Sequence, residues 1–155
     1  MENSQRILVV NRMSEYSREA FKTGVVLARK FGSELQVLHL ISHPALMLAL
    51  NTPVPFPDET KNYASAQDEA KEDLDKIISK EIGAGLPIKI IIREGNVVDE
   101  IVQVVKEEKI NLMVLLSHEE GRLEHMLFGH DNDVLIRRLP CSILLVKKEP
   151  EPVDW

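Results

Sequence analysis

The chain has 155 residues, 44% of them hydrophobic and 28% charged, with a formal net charge of −6. That length suits one domain with a core of its own. The acidic balance argues against nucleic acid or an anionic membrane as partner, because both reward an excess of lysine and arginine. Cys141 is the single cysteine, so no intramolecular disulfide holds the fold together. The opening stretch, MENSQRILVV, lacks the basic flank, long apolar core and small-residue cleavage site of a secretory leader. No apolar run approaches the ~18 residues that a membrane span requires. The expectation is a cytoplasmic chain with one domain over residues 1–148 and a tail over 149–155.

In chain order, Arg6–Val10 is a compact β-branched run and reads as a strand buried on both faces. Ser14 or Ser17 is placed to cap a helix whose apolar face is Ala20, Gly24, Leu27, Ala28 and Phe31, and Gly32 is placed to end it. Leu35–Ile41 is a second strand. The prolines at 44, 53, 55 and 57 exclude a continuous helix or central strand over Ser42–Asp58. A second helix is expected from about Glu59 to Ile82, with Ala66, Ala70, Leu74, Ile77 and Ile78 on one face and Gly83, Gly85 and Pro87 ending it.

Ile88–Ile92 is a third strand, and Gly95 turns the chain. Asn96 with Asp99 three residues on resembles a capping box for a helix ending near Lys109, whose buried stripe is Val98, Ile101, Val102 and Val105. Leu112–Leu116 and Ile143–Val146 are the fourth and fifth strands. Between them come a loop, Ser117–His130, and a short helix, Asp131–Leu139.

Strands alternating with helices imply an α/β domain: an open, doubly wound, five-stranded and mostly parallel sheet with helices on both faces. Ligands of such sheets bind outside the carboxyl ends of the strands, where the strand order reverses. The residues that matter are therefore Asn11 and Arg12, Ile41 onward, Arg93–Asn96, and Ser117–Asp131.

Three segments at those places share a pattern. ILVVNRMSEYS, Ile7–Ser17, looks like the opening ILVAVDGSEHS of the universal stress protein family. IREGNVVDEIVQVVKEEKINLMVLLSH, Ile92–His118, looks like its REG strand-turn, third helix and fourth strand. LFGHDNDVLIRRLPCSILLV, Leu127–Val146, looks like its closing pattern LLGSVSERVLRHAPCPVLVV. His39, within LQVLHLI, also has a familiar place in the second strand. The chain thus resembles that family from Ile7 to Val146, with the proline-rich stretch as the variable part. The resemblance implies a fold of the adenine-nucleotide alpha-hydrolase-like kind.

Nucleotide-binding members of the family carry G-x2-G-x9-G-[S/T] after the fourth strand. Glycines let backbone N–H groups reach phosphate oxygens, and the hydroxyl at the next helix start adds a donor. With Gly129 as the third glycine, the first two positions fall on Leu116 and Glu119, and the hydroxyl position is His130. Glu119 and its neighbour Glu120 repel phosphate. Such members also have an acidic residue near the end of the first strand, where this chain has Arg12 followed by Met13. The resemblance therefore implies a stress-response protein that is non-catalytic, homodimeric and without tight ATP binding. The alternative is an ATP- or AMP-binding switch, or a slow ATPase, with a divergent loop using Asn11, Arg12, Ile41, Ser117, His118, Gly129, His130 and Asp131.

Further candidates have simpler explanations. His118, His125 and His130 share one loop with Glu119, Glu120, Asp131 and Asp133, but their spacing matches no standard zinc signature, and no metal is expected. Asp131 and Asp133 suit a helix start. Cys141, beside Pro140 and a strand, reads as a small core residue rather than a nucleophile. Arg93-Glu94-Gly95 either presents a charge to the cleft or simply turns the chain. Ala45–Leu50, ALMLAL, is either packed over the sheet edge or in a dimer contact, or else a lid or docking surface. The enzyme motifs G-x4-GK[ST], G-x-G-x-x-G and G-x-S-x-G are absent. A phosphoryl-accepting receiver would need carboxylates where Asn11-Arg12 and Arg93 stand, and Asn11–Ser14 is poor for cradling a flavin phosphate. Family members commonly pair through the last strand, so Ile143, Leu144, Leu145 and Val146 are the expected homodimer contact, with an unidentified protein as further partner.

Overall fold

The structure, a computed structural model, describes residues 5–11, 17–41, 57–116 and 131–147, with the backbone alone for Ser17, residues 57–68, Ala70 and Asp131. Five strands form one sheet: β1 (Arg6–Asn11), β2 (Glu34–Ile41), β3 (Ile88–Glu94), β4 (Leu112–Leu116) and β5 (Ser142–Val146). Their order is β3-β2-β1-β4-β5, and every pairing is parallel. The described helices are α1 (Ser17–Phe31), α2 (Pro57–Gly83), α3 (Val97–Glu107) and α4 (Asp131–Arg138).

The strand sequences dictate two cores. Successive side chains leave a strand on opposite faces, so β1 sends Ile7 and Val9 one way and Leu8 and Val10 the other, all at most 2% exposed. Ile7 and Val9 join Leu35, Val37, Val114 and Leu116 beneath Ala20, Phe21, Val25 and Ala28 of α1 and Leu74 and Ile78 of α2. Leu8 and Val10 join Leu38, Leu40, Met113 and Leu115 beneath α3, with Leu135 of α4. A strand covered on both sides is mostly apolar, which is why β1 and β4 read as apolar runs and β2 as one interrupted by Gln36 and His39.

The buried face of α1 differs from the expected one. Ala20, Gly24 and Ala28 face the sheet, but Phe31 is 73% exposed, and Phe21 and Val25 carry the packing instead. Phe31 lies about 20° around the helix from Ala20, so its exposure shows that the last turn overhangs the core. Burying a side chain the size of Phe21 contributes about 1.5–3 kcal/mol.

Three helices end in one hydrogen-bond pattern. Ser33 N donates to Ala28 O at 3.0 Å after α1, and Leu86 N to Glu81 O at 3.1 Å after α2. After α3, Ile110 N donates to Val105 O at 3.1 Å and Lys109 N to Lys106 O at 3.4 Å. This closure places one residue in the left-handed region. Gly32 (φ 62°) and Gly85 (φ 95°) fill that place for α1 and α2, whereas α3 uses Lys109 (φ 53°). The start of α3 is as expected: Asn96 is its N-cap, and its Oδ1 accepts from Asp99 N at 3.1 Å.

β3 and β5 are the two edges of the sheet. β3 alternates Ile88, Ile90 and Ile92 with Lys89, Ile91 and Arg93 and ends on Glu94, and its Ile90 and Ile92 are 44% and 55% exposed. β5 is uncharged along its length, and its Leu144 and Leu145 are 37% and 40% exposed.

Candidate functional site

The strand order fixes where a ligand site belongs. From β1 the chain builds outward through β2 to β3, then returns to the other side of β1 for β4 and β5. The reversal lies between β1 and β4, and the crevice at their carboxyl ends is the candidate site. Three of the sequence-predicted residues lie within the described chain: Asn11 ends β1, Ile41 ends β2 and Asp131 opens α4. Arg12, Ser117, His118, Gly129 and His130 lie outside the described residues, as do His125 and Ala45–Leu50.

Asn11 is fully buried, and it is bonded to the polar residue in the neighbouring strand. The parallel register sets Asn11 opposite His39, which is 1% exposed. Asn11 Nδ2 lies 2.9 Å from His39 Nδ1. With the amide nitrogen as donor, Nδ1 is the acceptor, which assigns the ring proton to Nε2, the nitrogen that faces a carboxylate. That nitrogen faces Asp75 Oδ1 of α2 at 3.2 Å, but obliquely, without the alignment of a hydrogen bond. The other oxygen of Asp75 is held by Lys71 Nζ at 2.9 Å, one helical turn away. Burial pushes the His39 imidazole below its ordinary pKa of 6.5; Asp75 opposes that shift and Lys71 reinforces it.

This Asn11–His39–Asp75–Lys71 chain was not visible as a unit in the sequence. Its signal was present, since Asn11 and His39 are polar residues ending or interrupting apolar strands, but Asp75 is one of many acidic residues on α2.

Other predicted positions take structural roles. Arg93 turns away from the crevice toward α3, its Nη2 3.1 Å from Glu107 Oε2 and its Nε 3.9 Å from Glu100 Oε2. Cys141 is partly buried against the α3-side core, and burial raises its thiol pKa. Leu116, at the place of the family's first phosphate-loop glycine, is 5% exposed and packed in the α1-side core. Among the described residues, no three His, Cys, Asp or Glu side chains converge as a metal site would require. No described helix is long and apolar enough to cross a membrane.

An open groove of 410 Å³ lies at the opposite, amino-terminal end of β2 and β3, lined by residues that include Ser33, Gln36, Pro87 and Lys89. Ser33 Oγ and Gln36 Oε1 are buried beside it without a hydrogen-bond partner.

A parallel five-stranded sheet wound on both faces, with its crevice between β1 and β4, defines a doubly wound α/β protein. The chain matches the universal stress protein family over residues 3–147, and it belongs to that family. It is 25% identical over 157 aligned residues to Universal stress protein MJ0577 of Methanocaldococcus jannaschii, covering 94% of this chain and 96% of that one. The solved structure of MJ0577 superposes with a TM-score of 0.67 at 24% identity, covering 95% of this chain and 98% of that one. A universal stress protein in complex with cAMP matches with a TM-score of 0.54 at 18% identity, covering 94% of this chain and 98% of that one. An Arabidopsis thaliana family member with AMP bound matches with a TM-score of 0.54 at 16% identity, covering 94% of this chain and 93% of that one.

Proposed function

We propose that this universal stress protein is a non-catalytic stress-response protein that works as a homodimer joined through β5, engages a protein partner, and does not bind ATP tightly. The carrying observation is β5 itself, an edge strand without a charged residue whose Leu144 and Leu145 are exposed on opposite faces. An uncharged edge is a template for another strand. The other edge, β3, carries Lys89, Arg93 and Glu94, the charges that discourage such pairing. Two copies of β5 related by a two-fold axis would run antiparallel and extend the sheet across both chains.

Loss of tight ATP binding is supported at Leu116. Its side chain fills the core at the end of β4, where a phosphate-cradling loop would begin with glycine. Glu119 and Glu120 follow it in sequence, and carboxylates repel phosphate.

The second reading, an ATP- or AMP-binding switch or slow ATPase, is favoured by the structural neighbours that hold cAMP and AMP. Calorimetric titration of the purified chain with ATP and AMP, with and without magnesium, separates the two. The proposed function predicts no heat up to millimolar nucleotide and a solution mass of two chains. Heat at micromolar nucleotide that disappears in Gly129→Asp would establish the switch instead.

A further inference from the structure

We propose that His39 is a proton-operated positioning residue that couples the mouth of the β1–β4 crevice to helix α2. In the neutral state the ring accepts from Asn11 through Nδ1, at 2.9 Å, and leaves Asp75 to Lys71. Adding a proton at Nδ1 removes that acceptor, because both ring nitrogens then donate. Asn11 must rotate its amide to present Oδ1, so the residue that ends β1 exchanges a donor for an acceptor. On the other side, the imidazolium faces Asp75 Oδ1 across 3.2 Å. A charge-assisted bond there rewards closer approach and better alignment than the neutral ring obtains, drawing α2 toward β2.

The surroundings make this a switch rather than a static buried pair. From α2, Asp75 and Lys71 face the ring; from β1, Asn11 does; its cross-strand neighbour on β3 is Ile92. Among the described residues, Asp75 and Lys71 are the charged groups that act on its ionisation, with opposite signs. The ring itself is sealed, at 1% exposure, while the Asp75 carboxylate that faces its Nε2 is 41% exposed. The neutral Nε2 is buried without a well-formed hydrogen bond. That unsatisfied group is the reserve the protonated state would draw on.

The test is an NMR titration of the intact chain from pH 8 downward, following the imidazole signals and the side-chain amide of Asn11, with His39 assigned by its loss in His39→Gln. The expected result is a His39 midpoint below 6.5 in a chain that stays folded. The Asn11 amide and the α2 backbone signals around Leu74–Ile78 should move with the same midpoint. Lys71→Met, at a half-exposed site, should raise the midpoint, and Asp75→Asn should lower it. A purely structural histidine gives a different picture: a ring that stays neutral until the chain unfolds, or one that titrates while Asn11 stays still. Either result overturns the proposal, as does a midpoint that ignores both charge variants.

Discussion

Gly24 of α1 lies directly over Val9 of β1, so close that a methyl group on Gly24 would collide with Val9 Cγ2 and touch Leu35 Cδ1 at 3.4 Å. Val9 is wholly buried in the central strand, and a β-branched side chain is restricted in the rotamers to which it can retreat. The glycine is what lets α1 settle against the sheet.

Gly24→Ala is therefore expected to destabilise the chain. Overpacking costs about 1–3 kcal/mol, against about 1 kcal/mol gained in helix propensity, for a net loss of up to about 2 kcal/mol in urea unfolding. Gly83→Ala is the comparison, because nothing lies within 4 Å of its added methyl. It should leave stability unchanged or improve it. Equal effects at the two sites would contradict the close approach.

Lys109 holds at the end of α3 the left-handed place that Gly32 and Gly85 hold after α1 and α2. A side chain in that region costs about 1–2 kcal/mol relative to glycine. Lys109→Gly should raise the unfolding midpoint, by about 0.5–1 kcal/mol after the entropy of the unfolded glycine is counted. A loss of stability would mean that the lysine side chain contributes more than its backbone costs.

At the other end of α3, Asn96→Ala removes the acceptor for Asp99 N. The expected cost is about 1 kcal/mol, with Asn96→Asp close to wild type. Urea unfolding of the two variants side by side checks whether the cap, rather than the residue's bulk, matters.

The pH dependence of stability has a definite sign. His39 has a folded pKa below its ordinary value of 6.5, so as pH falls through that value the unfolded chain takes the proton first. Stability then falls with falling pH, from 6.5 down to the folded pKa, and is unaffected by this residue above 6.5. Urea midpoints measured at intervals between pH 8 and 5 should show that slope, and His39→Gln should flatten it. A slope unchanged in His39→Gln would assign it to other groups.

Much of the fold was legible because its signals are local. Apolar runs the length of a strand, Gly32 after an amphipathic stretch, and Asn96 three residues before Asp99 each state their own geometry. The strand-edge position of Ile143–Val146 followed from topology as well. Phe31 shows where periodicity stops being enough: the stripe runs on past the sheet that it is meant to bury. The polar chain from Asn11 through His39 to Asp75 was illegible for another reason. It depends on the β1–β2 register and on which turn of α2 passes over β2, neither of which a single residue's neighbours encode. At Leu116, where the resemblance places a phosphate-loop glycine, the structure shows a buried side chain, while Glu119 lies outside the described residues.

The pairing of two chains through β5 is tested most directly at Leu145. Light scattering of the wild-type chain and of Leu145→Lys at the same micromolar concentration, with circular dichroism to confirm equal folding, is the measurement. Two-chain mass for the wild type and one-chain mass for the folded variant are predicted, because a charge on an exposed apolar edge residue opposes strand pairing. A wild-type chain that is monomeric, or a Leu145→Lys variant that keeps the two-chain mass, would contradict the account.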